Sequence, residues 1–158
     1  MPCKKFISTM LLPVALLFEA SHSSAAGIAM HGEFSEAQND GSPCDLVFAD
    51  LSYSIEFHLL NNPRAAVIYF PQAADGHKGF FTKKTMVGSR GYDDLLFQDK
   101  FISEEAPGVS FQITARGLYS SDLILLDFSV TASPQTPSSN LSATPICKAS
   151  ARLFARTG

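Results

Sequence analysis

Side chains able to carry chemistry are few in this chain of 158 residues, and they are scattered. His31, His58 and His77 follow the first 26 residues, and none has a partner at metal-ligand spacing, so neither a metal nor a cofactor is expected. They read as three solvated histidines: His31 in a polar stretch, His58 on the polar side of a strand, His77 in a turn. A nucleophilic serine would sit in a sharp G-x-S-x-G turn; Ser89, within VGSRGY, is the nearest approach and lacks the flanking pattern. Asp93, Asp94, Glu104 and Glu105 are of the type that works in pairs on glycosidic bonds, yet all four fall in surface-loop sequence. The chain has no tryptophan, which removes the usual stacking surface for a sugar. The expectation is a non-catalytic protein, the rival being an exported enzyme whose acids or histidines are gathered only by the fold.

The segment 88–94, GSRGYDD, is the best candidate for recognition. Its two glycines free the backbone around Arg90, and arginine and tyrosine are the residue types concentrated at binding hot spots. Arg90, Tyr92 and Asp93 are therefore the expected binding residues, set against the plainer reading of a hairpin turn with an exposed arginine. Segment 75–79, DGHKG, is a second such loop. In a small exported β-barrel, a cluster of Ser89, Gly91 and Tyr92 faintly resembles bacterial lysozyme-inhibitor domains. The residue order departs from that family's motif and only these positions match, so no family is assigned on it.

Residues 1–26 set the compartment. Lys4 and Lys5 precede an apolar run from Phe6 to Phe18, and the small residues Ser24, Ala25 and Ala26 suit signal peptidase, with cleavage expected before Gly27. That run is shorter than the 20 or so residues a membrane helix needs and contains Pro13, so no integral membrane span is expected after cleavage. The destination is periplasmic or extracellular. Cys3 leaves with the signal, and Cys44 and Cys147 remain as one expected disulfide. The rest of the chain is slightly acidic and holds no block of like charge; Lys83 and Lys84 are the only adjacent basic pair. No nucleic-acid partner is expected on this ground, since its backbone is held by clustered Lys and Arg.

Positioning any site falls to strands. Leu51, Tyr53, Ile55, Phe57 and Leu59 alternate with Ser52, Ser54, Glu56 and His58, the period of two that lays one strand face on a core. Upstream, Cys44, Leu46 and Phe48 have the opposite phase, which calls for a bulge near Ala49 and Asp50. Residues 61–64, NNPR, form a hairpin turn into the buried run 65–70. Further strands are expected at 80–87, 95–102, 109–115, 123–132 and 146–156, with turns at 88–91, 104–108 and 117–122 and a Pro/Ser/Thr loop at 133–145. Leu123 and Leu125 point away from the inward set of their strand, toward either a cover or a contact surface.

Residues 27–43 lack a sustained apolar period and read as a flexible leader, which makes 44–158 the single β-domain. The fold class is all-β: an antiparallel sandwich or small closed barrel of about 7–8 strands, stapled by one disulfide. Two functions fit such a body. The first is a binding module whose partner is a protein held by its loops. The second is a carrier of a lipid or other small apolar ligand, because phenylalanines lining a cavity and phenylalanines filling a core look alike in sequence.

Overall fold

The computed structural model describes residues 27–135 and 144–158; the expected signal peptide, residues 1–26, and residues 136–143 of the expected Pro/Ser/Thr loop lie outside them. Eight antiparallel strands follow one another round a closed barrel: β1 (Ile28–Asn39), β2 (Ser52–Asn61), β3 (Arg64–Ala73), β4 (Lys84–Arg90), β5 (Asp94–Ile102), β6 (Val109–Tyr119), β7 (Leu123–Pro134) and β8 (Cys147–Arg156). Each pairs with its neighbour in sequence, and β1 closes the ring on β8, with Gly32 opposite Ala155 and Phe34 opposite Leu153. Of the two architectures, the barrel is the one formed. No helix among the described residues is long and apolar enough to cross a membrane.

Alternation decides which side faces in. Tyr53, Ile55 and Phe57 on β2, Phe111, Ile113 and Ala115 on β6, and Ile124, Leu126, Phe128 and Val130 on β7 are buried. An eight-stranded barrel is just wide enough for side chains to fill, and aromatic rings fill this one. Phe81 packs against Phe34, Phe70 and Phe128 at centroid separations of 5.4, 5.2 and 5.7 Å. Gly88 permits the close approach of β4 to β5: a Cβ there would lie 2.3 Å from the Leu96 carbonyl oxygen and 2.6 Å from the Phe97 ring.

Three sequence expectations are corrected. Residues 27–43 are no leader, because β1 occupies most of them and completes the ring. Its inward set is Ile28, Met30, Gly32 and Phe34, an apolar alternation interrupted by glycine and followed by five exposed residues, and a bulge beyond Ser35 puts Glu36 at φ 54°. No period of two survives such a bulge. Cys44, Leu46 and Phe48 are not a phase-shifted strand; a short 3-10 turn over Cys44–Leu46 buries Cys44, Val47 and Phe48 together. Finally, β4 begins at Lys84 and runs to Arg90, so Phe80 and Phe81 belong to the preceding connection and the turn shifts to residues 91–93.

The two ends of the barrel are built differently. Connections β1–β2, β3–β4, β5–β6 and β7–β8 gather at one end, where the 3-10 turn and Phe80–Phe81 fold inward as a plug. There Cys44 and Cys147 are bridged, with Cα atoms 5.9 Å apart and 103 residues between them. The β1–β2 connection is pinned further where Asp40 N–H donates to the Lys148 carbonyl (3.1 Å) and Lys148 N–H donates to the Asp40 carboxylate (2.6 Å). At the opposite end the turns 62–63, 91–93 and 120–122 are short.

Candidate functional site

Arg90, one of the expected binding residues, crosses the short-turn mouth of the barrel. As the last residue of β4 in phase with buried Met86, it points inward. Its Nε donates to the Leu60 carbonyl (3.1 Å), one terminal nitrogen to the Tyr119 hydroxyl (3.3 Å) and the other to the Asn61 side-chain oxygen. The planar guanidinium, with five donors in fixed directions, thus ties β4 to the ends of β2 and β6. Arg64 braces the same turn from outside by donating to the Gly91 carbonyl at 2.8 Å. Arg90 is thus a strut across this mouth, its guanidinium engaged by Leu60, Asn61 and Tyr119.

Tyr92 is 91% exposed at the tip of that turn, and Asp93 beside it is exposed as well. The turn is held in place: Gly91 N–H donates to the Asp94 carbonyl (2.9 Å), and Tyr119 N–H donates to the Asp93 carbonyl (2.9 Å). A fixed turn presenting an aromatic ring loses little conformational freedom on binding.

Directly below it on the outer wall lies an apolar row. Asp94 is opposite Leu118, Leu118 opposite Leu125, and Leu125 opposite Phe154, so three apolar side chains cross β6, β7 and β8 side by side. Leu118 is 55% and Phe154 43% exposed. Leu123 and Leu125 were legible in sequence as outward residues. Phe154 carried the same signal, standing in the outward phase of β8 among Arg152 and Arg156. Elsewhere the outward side of β8 and its neighbour is charged, with Arg152 Nε donating to Asp127 at 2.8 Å and its guanidinium 3.6 Å from Glu36.

A second feature sits at the plugged end. The β4–β5 ladder pairs only Gly88–Arg90 with Leu95–Phe97, so Lys84–Val87 and Gln98–Ile102 are not laddered to each other. Where they part is a cavity of about 150 Å³ lined by residues that include Phe80, Thr82, Lys84, Ile102 and Glu105. Lys84 reaches into it half-buried, its Nζ donating to the Phe80 carbonyl and lying 4.8 Å and 5.5 Å from the ring centres of Phe80 and Phe101. Burial, and secondarily the nearby Lys78 charge, pull the Lys84 ammonium below its ordinary pKa. The Thr82 hydroxyl is shielded from solvent and has no hydrogen-bond partner among the described residues. At the rim Lys78 Nζ pairs with Glu104 at 3.2 Å.

The remaining sequence candidates are not brought together. Asp93 and Asp94 stand at the short-turn end and Glu104 and Glu105 at the other. His31, His58 and His77 each lie beside an acid two residues away, Glu33 at 3.3 Å, Glu56 at 3.9 Å and Asp75 at 4.0 Å. Asp40 lies close to Cys44 and Cys147, but those sulfurs are bonded to each other and leave no thiolate for a metal. Ser89 is exposed on the outer wall. Comparison with protein-family models, with curated proteins and with solved structures gives no match.

Proposed function

We propose that this chain is an exported, soluble, non-catalytic binding module that holds a protein partner on the outer wall of its barrel at the short-turn end. The observation that carries the reading is the continuous row Leu118, Leu125 and Phe154 beneath the braced, exposed Tyr92. Aromatic anchors flanked by apolar surface are what protein interfaces use at their centres. Export is supported by the Cys44–Cys147 bridge, which suits an oxidising compartment. Solubility is supported by outward faces carrying Ser52, Ser54, Glu56 and His58 on β2 and Gln112, Thr114 and Arg116 on β6, where a lipid-embedded barrel would present an apolar band. Ring-to-ring packing through the interior favours this reading over the carrier, which needs room inside for its ligand.

The test is site-specific photocrosslinking in the native host. A benzophenone side chain at position 92 or 154 should give one discrete protein adduct, and Leu118→Ser with Phe154→Ser should abolish the adduct made from position 92. Adducts no more discrete than those from position 114, on the polar part of the wall, would overturn the reading. Native mass spectrometry of the host-purified protein tests the carrier separately, a reproducible apolar passenger supporting it.

A further inference from the structure

The cavity beside Lys84 is independent of the outer-wall reading and has a chemistry of its own. Its innermost charge is an ammonium with spare protons: one goes to the Phe80 carbonyl, and the rest of the head group faces aromatic rings that accept no full hydrogen bond. Thr82 also lines the cavity, and its buried hydroxyl has no hydrogen-bond partner among the described residues. Phe80 and Ile102 add apolar surface. The charged groups facing Lys84 are Lys78, Glu104 and Glu105; Glu104 is already paired with Lys78, and both glutamates are exposed at the rim.

These groups decide the sign of a ligand. A cation entering would meet Lys84 at close range in a partly desolvated space, whereas an anion would replace the hydration the ammonium has lost. Size decides the rest: about 150 Å³ is below the range of drug-sized sites and suits a molecule of a few heavy atoms. We propose that this cavity binds a small organic carboxylate, the Lys84 ammonium and the Thr82 hydroxyl holding its two oxygens while Phe80 and Ile102 cover a short apolar tail.

Isovalerate is the probe, titrated into the ¹³C,¹⁵N-labelled, disulfide-intact protein at neutral pH, with inorganic phosphate and isobutylamine as comparisons. Saturable amide shifts confined to residues 78–84 and 102–105 are expected, together with an upward move of the Lys84 pKa, followed through its ¹³Cε shift. Lys84→Met should weaken binding by about tenfold or more, the loss of a charge-assisted hydrogen bond, and Thr82→Val by severalfold. No saturable shift up to roughly 50 mM isovalerate would overturn the assignment. So would an unchanged affinity in Lys84→Met, or shifts at the same residues from phosphate or isobutylamine as strong as from isovalerate. Should Lys84→Met lose its dispersed spectrum, Thr82→Val and the Lys84 titration decide: a pKa that stays put under saturating isovalerate rejects the site.

Discussion

One mouth of this barrel is closed by hydrophobic mass and the other by a single polar side chain. At the plugged end, Phe34, Phe48 and Phe81 have ring centres 5.0 to 6.0 Å from one another, with the Cys44–Cys147 bridge pinning the β1–β2 connection that carries Phe48. At the short-turn end, Arg90 spans the opening with directed hydrogen bonds to Leu60, Asn61 and Tyr119. Burying a phenyl ring stabilises by a few kcal/mol, whereas one hydrogen bond nets about 1 kcal/mol. The difference separates labour: one pole supplies most of the stability, which leaves the other free to display Tyr92 and the apolar row.

That division can be broken first at the bridge. Replacing Cys44 and Cys147 by serine releases a 103-residue loop, for which the chain-entropy relation gives on the order of 4–5 kcal/mol. Urea unfolding should show that loss, and a reducing agent should reproduce it in the unmodified protein. Next is Phe81→Ala, which empties the centre of the ring cluster and should cost about 3–5 kcal/mol in the same assay. A loss below roughly 1 kcal/mol would show that the plug is not where stability resides.

Arg90→Met tests the opposite pole. About 1–3 kcal/mol is expected, and hydrogen exchange should accelerate at residues 60–61 and 91–94 while the plugged end keeps its protection. Protection lost at both ends would mean that the poles are coupled. Smallest of all, Tyr92→Ala should change stability by no more than about 0.5 kcal/mol while weakening the adduct made from position 154, since a 91% exposed ring contributes little to the fold.

pH gives a further handle on the plugged end. Tyr53 is fully buried beneath the plug, its hydroxyl 3.5 Å from the Phe81 N–H, and burial pushes its pKa up to about 12, the nearby Asp50 and Asp75 charges adding to the rise. Because the raised value favours the neutral phenol in the folded state, this contribution is complete below the ordinary tyrosine value near 10 and disappears as pH climbs toward 12. Stability measured across that window should fall less steeply in Tyr53→Phe than in the unmodified protein. Equal slopes would show that the phenol is not the group responsible.

Strands with one face in and one face out were legible because their period of two runs unbroken: β2, β6, β7 and β8 lie close to where Leu51–Leu59, Val109–Ala115, Leu123–Ala132 and Ile146–Arg156 implied them. The bridge was legible from two cysteines alone. β1 was hidden because Gly32 interrupts its inward face and the bulge at Glu36 breaks its phase. At 88–94 the sequence showed a turn with an arginine and a tyrosine, but not that Arg90 would be engaged, since only the closed fold brings Leu60, Asn61 and Tyr119 around it. The Lys84 cavity had no local signature at all. Its walls are 18 or more residues apart, and Lys83 and Lys84 read as one solvated pair, although Lys83 lies exposed at φ 60° and only Lys84 turns onto the rings.

Closure of the ring between β1 and β8 also fixes where the chain can be handled. Their antiparallel pairing brings the start of β1 and the finish of β8 to the same rim, the one that carries Tyr92. Any label or fusion attached beyond Ile28 or Arg156 therefore hangs over the proposed contact face. A reporter spliced into the exposed connection at 104–105 would instead sit at the far pole, beside the Lys84 cavity and away from the rim where a partner would arrive.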